Sequence, residues 1–189
     1  AAKIPQDGGW STGVSVVDIN NDGMPDLYIC RVGNFEILQS KNQLLVCQGI
    51  DKNGIPFYAD KAKEYGLDFS GFSTQAAFLD YDMDGDLDMF LLNHSTKKID
   101  NMELARYRNE VDSMAGNKLY ENQKNHFTDV SSKAGIRRNP LTFGLGIAVS
   151  DINKDGWQDL YVSNDYNEPD YLYINNRNGT FKESSQQSL

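Results

Sequence analysis

Three short acidic loops with one shared spacing constrain the fold of this chain more than any other feature of its sequence. The middle loop, residues 80–88, reads Asp-Tyr-Asp-Met-Asp-Gly-Asp-Leu-Asp and holds five carboxylates in nine residues. These carboxylates would repel one another at neutral pH without a cation, and oxygen-only ligands select a hard cation, for which calcium is the natural candidate. The glycine at position 6 permits the sharp turn that lets positions 1, 3, 5 and 9 converge, and a backbone carbonyl near position 7 can add an oxygen.

The same pattern recurs at residues 18–26 and 151–159, with an oxygen-bearing side chain at positions 1, 3, 5 and 9 and glycine at position 6. An EF-hand also begins in this way, but it needs a glutamate at position 12 and a helix on each side. Position 12 is Ile29, Leu91 and Val162 in the three copies, and the flanks are rich in β-branched and aromatic residues. Each loop is therefore predicted to join two strands. A metal-free solvated turn is the weaker alternative, because a turn needs one Asp or Asn and a Gly, not four regularly spaced oxygens.

The net charge of -9 has a local origin, since the three loops hold 11 of the 27 acidic residues. No basic stripe is present to neutralise phosphates, so a nucleic-acid partner is not expected. No run of about 18 apolar residues is present either, so no membrane span is expected. Calcium loops of modest rigidity fill best at extracellular calcium concentrations, which favours an extracellular or bacterial cell-surface (secreted) location.

Four short strands recur around each acidic loop. The first is a crowded strand before the loop, the second an apolar strand directly after it, and the third and fourth follow at residues 43–46 and 57–60, 118–121 and 126–129, and 171–174 and 180–183. This pattern predicts an all-β fold, a β-propeller segment of three four-stranded antiparallel blades with the calcium loops between first and second strands. The predicted blades are residues 1–67, 68–136 with an insertion at 93–117, and 137–189. A short helix is expected near residues 99–107, and helical turns ending at glycine are expected at 61–67 and 131–136.

At this point the residues resemble a known family. The loop Asp-x-Asp/Asn-x-Asp-Gly-x-x-Asp, followed by Leu-Tyr-Ile at 27–29 or its variants and preceded by Phe-Gly-Leu-Gly at 143–146, is similar to the FG-GAP or VCBS repeat of integrin α-subunit propellers and many bacterial surface proteins. Residues 119–136 look like bacterial members associated with ASPIC/UnbV domains. Propellers of this family usually close with about seven blades, whereas three are expected here.

The resemblance implies up to three calcium ions and names their ligands. These are the side chains of Asp18, Asn20, Asp22 and Asp26, of Asp80, Asp82, Asp84 and Asp88, and of Asp151, Asn153, Asp155 and Asp159, together with the position-7 carbonyls of Met24, Asp86 and Trp157.

Catalysis has no candidate site in the sequence. His94 and His126 are the only histidines, neither lies beside a recognisable nucleophile motif, and most carboxylates are needed as metal ligands. Antiparallel strands place the loops at 31–41, 93–117 and 164–170 on the face opposite the calcium loops, where they form an expected recognition surface. Tyr166, with its neighbours Asp165 and Glu168, is the candidate partner-binding group on this face.

The sequence therefore predicts a calcium-binding extracellular β-propeller module that recognises a protein or glycan ligand, with calcium in a structural role. The alternative is a propeller that serves as scaffold or catalytic domain of a secreted polysaccharide-active hydrolase or lyase. Three blades would form an open arc, so further blades in the parent chain or self-association are expected. A disulfide between Cys30 and Cys47 is not favoured, because the inferred register places Cys30 opposite Leu45.

Overall fold

A computed structural model describes residues 4, 8–98, 100–165 and 168–185. Its strands are β1 Trp10–Val17, β2 Asp26–Phe35, β3 Leu38–Gln39, β4 Gln43–Ile50, β5 Pro56–Asp60, β6 Ser73–Leu79, β7 Asp88–Asn93, β8 Lys118–Asn122, β9 Phe127–Asp129, β10 Gly144–Ser150, β11 Asp159–Asn164, β12 Tyr171–Asn175 and β13 Phe181–Glu183. They form three antiparallel sheets in the orders β1-β2-β4-β5, β6-β7-β8-β9 and β10-β11-β12-β13. The predicted all-β class and the three four-stranded blades are confirmed, and the blades are numbered 1 to 3 below. The blade boundaries at residues 67 and 136 stay a prediction.

The helical segments are short; two of them follow the last strand of a blade, and the others lie in the insertion between β7 and β8. Helices α1 Ala62–Tyr65 and α3 Ser131–Ala134 follow blades 1 and 2 and end at Gly66 and Gly135, which adopt left-handed φ angles of 77° and 80°. The insertion holds a 3₁₀ turn at Asn101–Glu103 and then α2 Leu104–Tyr107. The predicted helical links are confirmed, as is the helix in the insertion, apart from Ile99, which lies outside the described residues. Among the described residues, no helix is long and apolar enough to cross a membrane.

Blade 1 differs from the prediction in two details. Residues 31–41 were expected to be an irregular loop, but β2 continues to Phe35 and pairs with β3 in a hairpin. The predicted register was also wrong, because Leu45 lies opposite Leu27 and not Cys30. The observed register places Tyr28 beside Leu44, so that both side chains face blade 2, and a slip of one residue would turn them away. Both cysteines are free and buried.

The blades stack face to face through two apolar cores. Tyr28 and Leu44 of blade 1 pack with Met89 and Leu91 of blade 2 in the first core. The opposite face of blade 2 meets blade 3 in the second core, whose members include Phe90, Leu92, Leu119, Leu160, Val162 and Tyr173. Each blade thus uses alternate residues of its strands to contact the blade on either side.

The inner strands approach so closely that one position requires glycine. A Cβ atom on Gly13 in β1 would overlap the carbonyl oxygen of Thr74 in β6. Gly146 in β10 occupies the matching register position, just after the same irregularity in its strand, but a Cβ there would meet only the Ser163 hydroxyl of its own blade at 3.3 Å. Blade 3 therefore carries the close-approach glycine although, within the described part of the chain, no strand of another blade approaches the Cβ position of Gly146.

Both outer faces of the three-blade stack have the residue pattern of a blade interface. Tyr161, the third residue of β11, is 42% exposed, whereas Tyr28 and Phe90 at the same strand position are fully buried under the next blade. On the far side of blade 1, Val14 and Val16 are 63% and 68% exposed. In the other two blades the equivalent residues are in contact with an apolar core, as Ala76, Phe78, Ile147 and Val149.

The two glycines provide a matched test of blade stacking. Gly13→Ala is expected to lower the free energy of unfolding by about 2 kcal/mol, because the new methyl group must push two strands apart. Gly146→Ala should change the free energy of unfolding by much less. Both substitutions replace a glycine in a strand, but only the methyl group at position 13 meets another blade. Urea denaturation of both variants measures the difference, and equal losses would contradict the stacking of β1 on β6.

Candidate metal centres

The three acidic loops connect the first and second strands of each blade and share one backbone conformation. The aspartate at position 1 accepts the backbone N–H groups of positions 5 and 6 in every copy; in the middle loop, Asp80 accepts from Asp84 at 3.1 Å and Gly85 at 3.2 Å. Position 4 has a positive φ of 56° to 61° in all three, and the glycine at position 6 has a φ of 81° to 96°. The loops are therefore folded alike, and they differ in side-chain chemistry.

The aspartate at position 9 clamps each loop to the rest of its blade. Asp159 accepts the Ile152 N–H at 3.0 Å with one oxygen and the N–H of Asn175 at the end of β12 at 2.8 Å with the other. The same two bonds are made by Asp26 to Ile19 and Cys47, and by Asp88 to Tyr81 and Asn122. All three aspartates are at most 1% exposed. Position 9 was predicted as a metal ligand, and the structure gives it a second role that holds the loop against the third strand.

The middle loop concentrates negative charge, and no basic side chain within the described ranges forms an ion pair with it. Ligand oxygens of Asp80, Asp82 and Asp88 lie within 4.8 Å of one another. One carboxylate oxygen each of Asp82 and Asp86 is buried without a hydrogen-bond partner. Desolvation, with repulsion from Asp84 next, raises the pKa of Asp82 and of Asp86, and desolvation raises the pKa of Asp88 to about 8. An oxygen-only group with unpartnered, converging carboxylates fits a hard divalent cation.

The outer two loops satisfy part of this demand internally because position 3 is asparagine. The Asn20 amide donates to Asp22 at 2.9 Å, and the Asn153 amide donates to Asp155 at 2.9 Å. An ionised Asp82 has no hydrogen to donate, so it cannot make the equivalent bond to Asp84. One of its own oxygens is buried without a hydrogen-bond partner. For Asn20 or Asn153 to bind a metal, the amide must present its oxygen instead. The position-7 carbonyls of Met24, Asp86 and Trp157 stay predicted ligands.

Comparison with known families agrees with this repeated geometry. A family described as FG-GAP-like repeat matches residues 80–162 and 151–189, which is more than half of the chain. The chain belongs to the FG-GAP-like repeat family. Blade 1 lies outside the matched residues, but its loop makes the same position-1 and position-9 hydrogen bonds as the two matched FG-GAP loops. No curated protein matches the chain significantly.

Neighbouring FG-GAP loops are joined by side chains that the sequence pattern did not single out. The Gln158 side chain of the third loop accepts the Asp80 N–H at 3.1 Å, and the Asn175 amide donates to the Tyr81 carbonyl at 2.7 Å. Asn122, at the end of β8, donates in the same way within its own blade, to the Leu87 carbonyl. The sequence feature that could have predicted these contacts is the Asn that ends the third strand in blades 2 and 3, Asn122 and Asn175.

The predicted partner-binding residues have different outcomes. Tyr166 lies outside the described residues. Asp165 lines a cleft of about 550 Å³ with His94 and Phe143. Glu168 is 6% exposed, and its carboxylate accepts the Tyr171 hydroxyl at 2.6 Å and pairs with Arg108 of the insertion at 3.2 Å. Glu168 therefore anchors its loop to the insertion, and its side chain is mostly buried, which a polar loop sequence does not reveal. A partner-binding role for Glu168 stays a prediction.

The clamp role of position 9 can be separated from metal binding. In excess chelator, Asp159→Ala is expected to lower the free energy of unfolding by about 3 kcal/mol, because the buried N–H of Asn175 and the partly buried N–H of Ile152 lose a charged acceptor. Asp155→Ala, in the same loop but at a position without that buried clamp, should cost clearly less under the same conditions. Equal stability of the two variants in denaturant titrations would argue that Asp159 acts only through a metal.

Proposed function

We propose that this FG-GAP chain is a calcium-stabilised extracellular module that recognises a protein or glycan ligand. The observation that carries the calcium part is the middle loop, where converging carboxylates include buried oxygens without partners. Calcium accepts six to eight oxygen ligands in flexible geometry, whereas magnesium demands a near-ideal octahedron and keeps much of its water. A nine-residue loop with carboxylates at alternate positions suits the larger ion.

Calcium removal should destabilise the protein. A ligand that binds the folded state alone raises stability by mass action, and its loss restores the repulsion among the loop carboxylates. Protein shown to be calcium-loaded is therefore expected to melt at a lower temperature after excess EDTA, and calcium should restore the melting temperature where equimolar magnesium does not. A melting curve that EDTA leaves unchanged would contradict structural calcium sites.

The middle loop is expected to bind most tightly, because affinity rises with the number of charged ligands. It holds five carboxylates, and each of the other loops holds three. Isothermal titration of Asp84→Ala and Asp155→Ala, matched substitutions at position 5, should show the greater loss of calcium affinity in Asp84→Ala. An equal or reversed order would mean that loop geometry outweighs charge.

The face opposite the calcium loops supports the recognition part of the proposal. The cleft beside His94 is continued by a second one of about 450 Å³ lined by Phe72, Val111 and Met114. Exposed apolar side chains also occur in the chain segments expected on this face. Val111, at 67% exposure, lines the second cleft, Met102 of the same insertion is 91% exposed, and Ile37 in the β2–β3 hairpin is 92% exposed. Apolar side chains on loops above rigid blades are typical of a binding surface, and we infer binding without catalysis.

A panel of immobilised glycans and extracellular matrix proteins would test this. Binding that Val111→Asp abolishes and that Lys52→Asp, on a turn near the calcium-loop face, leaves intact would support the assignment. Turnover of a polysaccharide that is lost on His94→Ala would support the hydrolase or lyase alternative instead.

The two outer faces of the three-blade stack are candidate contact surfaces for a second kind of partner, a further blade. We propose that each packs against a further blade of the same type, because Tyr161 and Val16 occupy positions that are in contact with a core elsewhere in the stack. The 189-residue chain is then expected to self-associate by light scattering, and Tyr161→Asp should make it monomeric. A wild-type chain that is already a well-behaved monomer would contradict this.

A further inference from the structure

Loop 3 differs from the other two loops in having a cation of the protein against it. Arg177, in the turn between β12 and β13, donates from Nη2 and Nε to Oδ2 of Asp155 at 2.9 and 3.2 Å. The turn fixes this position, because the Arg177 backbone N–H donates to the Asn175 side chain at 2.8 Å and the residue adopts a φ of 62°. The Asp155 side chain is 14% exposed and the Arg177 side chain 55% exposed, so the pair lies at the surface and its position is set by the two contacts to Oδ2 and by the turn.

The oxygen that Arg177 contacts is the one a metal would need. Oδ1 of Asp155 accepts the Trp157 N–H at 2.9 Å, which completes the turn of the loop. Oδ2 is the remaining oxygen, and it accepts a hydrogen bond from the side-chain amide of Asn153, a predicted ligand, at 2.9 Å. A guanidinium on Oδ2 therefore competes with a cation for the same carboxylate oxygen.

The other two loops have no such neighbour. Among the described residues, no ion pair reaches the acidic side chains of residues 18–26 or 80–88. Lys124 of blade 2 occupies the place of Arg177, two residues after the asparagine that ends the third strand and also at a positive φ of 56°. Its backbone N–H donates to the Asp86 carboxylate, but its ammonium forms none of the ion pairs found among the described residues.

We propose that Arg177 is a built-in counter-ion of the third loop, which holds that loop closed without a metal and weakens its affinity for calcium. This inference rests on the proposed calcium function and divides the three loops by role. The first and second loops are stabilised by calcium, whereas the third is stabilised mainly by the protein's own guanidinium and fills last. Blade 3 thereby keeps its loop conformation at calcium concentrations that leave its site empty.

The third loop contains its own reporter. Trp157 is at position 7, and terbium(III), which takes the place of calcium in oxygen-ligand sites, emits when a nearby indole transfers its excitation. Excitation at the red edge of tryptophan absorption, where tyrosine does not absorb, therefore reports terbium near one of the two tryptophans, Trp157 or Trp10. Asp151→Ala, which removes the position-1 ligand, identifies the part of the signal that belongs to the third loop.

The experiment titrates terbium into metal-free wild type, Arg177→Gln and Lys124→Gln, with calcium competition to obtain calcium affinities. Arg177→Gln is expected to tighten binding at the third loop about tenfold, because one positive charge leaves the ligand oxygen. Lys124→Gln, the matched loss of charge in blade 2, should change the affinity of the third loop by less than about twofold, since long-range charge is screened by salt. Circular dichroism confirms that each variant is folded, and Arg177→Lys should lie between wild type and Arg177→Gln.

Two results would overturn the inference. An unchanged affinity in Arg177→Gln would mean that the guanidinium moves aside at no cost, and a weaker affinity would mean that it supports Asp155 as a ligand. Either result leaves the proposed function intact if the first two loops bind calcium. Absence of calcium binding at every loop, measured by equilibrium dialysis, would instead remove the proposed function and this inference together.

Discussion

A buried aspartate at the ninth position of each loop is the interaction on which the rest of the structure depends. Its two oxygens tie the second residue of the loop to the third strand, as Asp88 does between Tyr81 and Asn122. The same carboxylate lies at the edge of the acidic ring, so the residue that closes the blade also sets where a cation can bind. Burying a charge in this way is unfavourable unless it is hydrogen-bonded, and here each oxygen has a buried N–H partner.

One backbone geometry serves three different charge balances. The middle loop leaves carboxylate oxygens without partners, the first uses the Asn20 amide, and the third adds Arg177 to the Asn153 amide. In all three loops of this chain the same conformation is held by the hydrogen bonds of positions 1 and 9 and by the glycine at position 6, and the remaining positions differ in charge. On the proposed function, this difference sets how much each blade relies on an external ion. Stability and ion sensitivity can therefore vary from blade to blade within one fold.

Much of this architecture could be predicted from the sequence because it is local. Alternating apolar strands, glycine at loop position 6 and the glycines that end α1 and α3 all act within a few residues. The errors came from contacts between distant residues. The register of β4 depends on packing against blade 2, the burial of Glu168 depends on Arg108 sixty residues earlier, and the Arg177–Asp155 pair joins a turn to a loop 22 residues before it. No short pattern reports such pairs, and a polar side chain that points inward is indistinguishable in sequence from an exposed one.

The most direct test of the central claim is anomalous diffraction from crystals grown with calcium. We expect a peak inside the middle loop, within coordination distance of side-chain oxygens from Asp80, Asp82, Asp84 and Asp88, and a weaker peak or none beside Asp155. A middle loop that stays free of any ion at millimolar calcium, with its carboxylates in the same arrangement, would contradict the account.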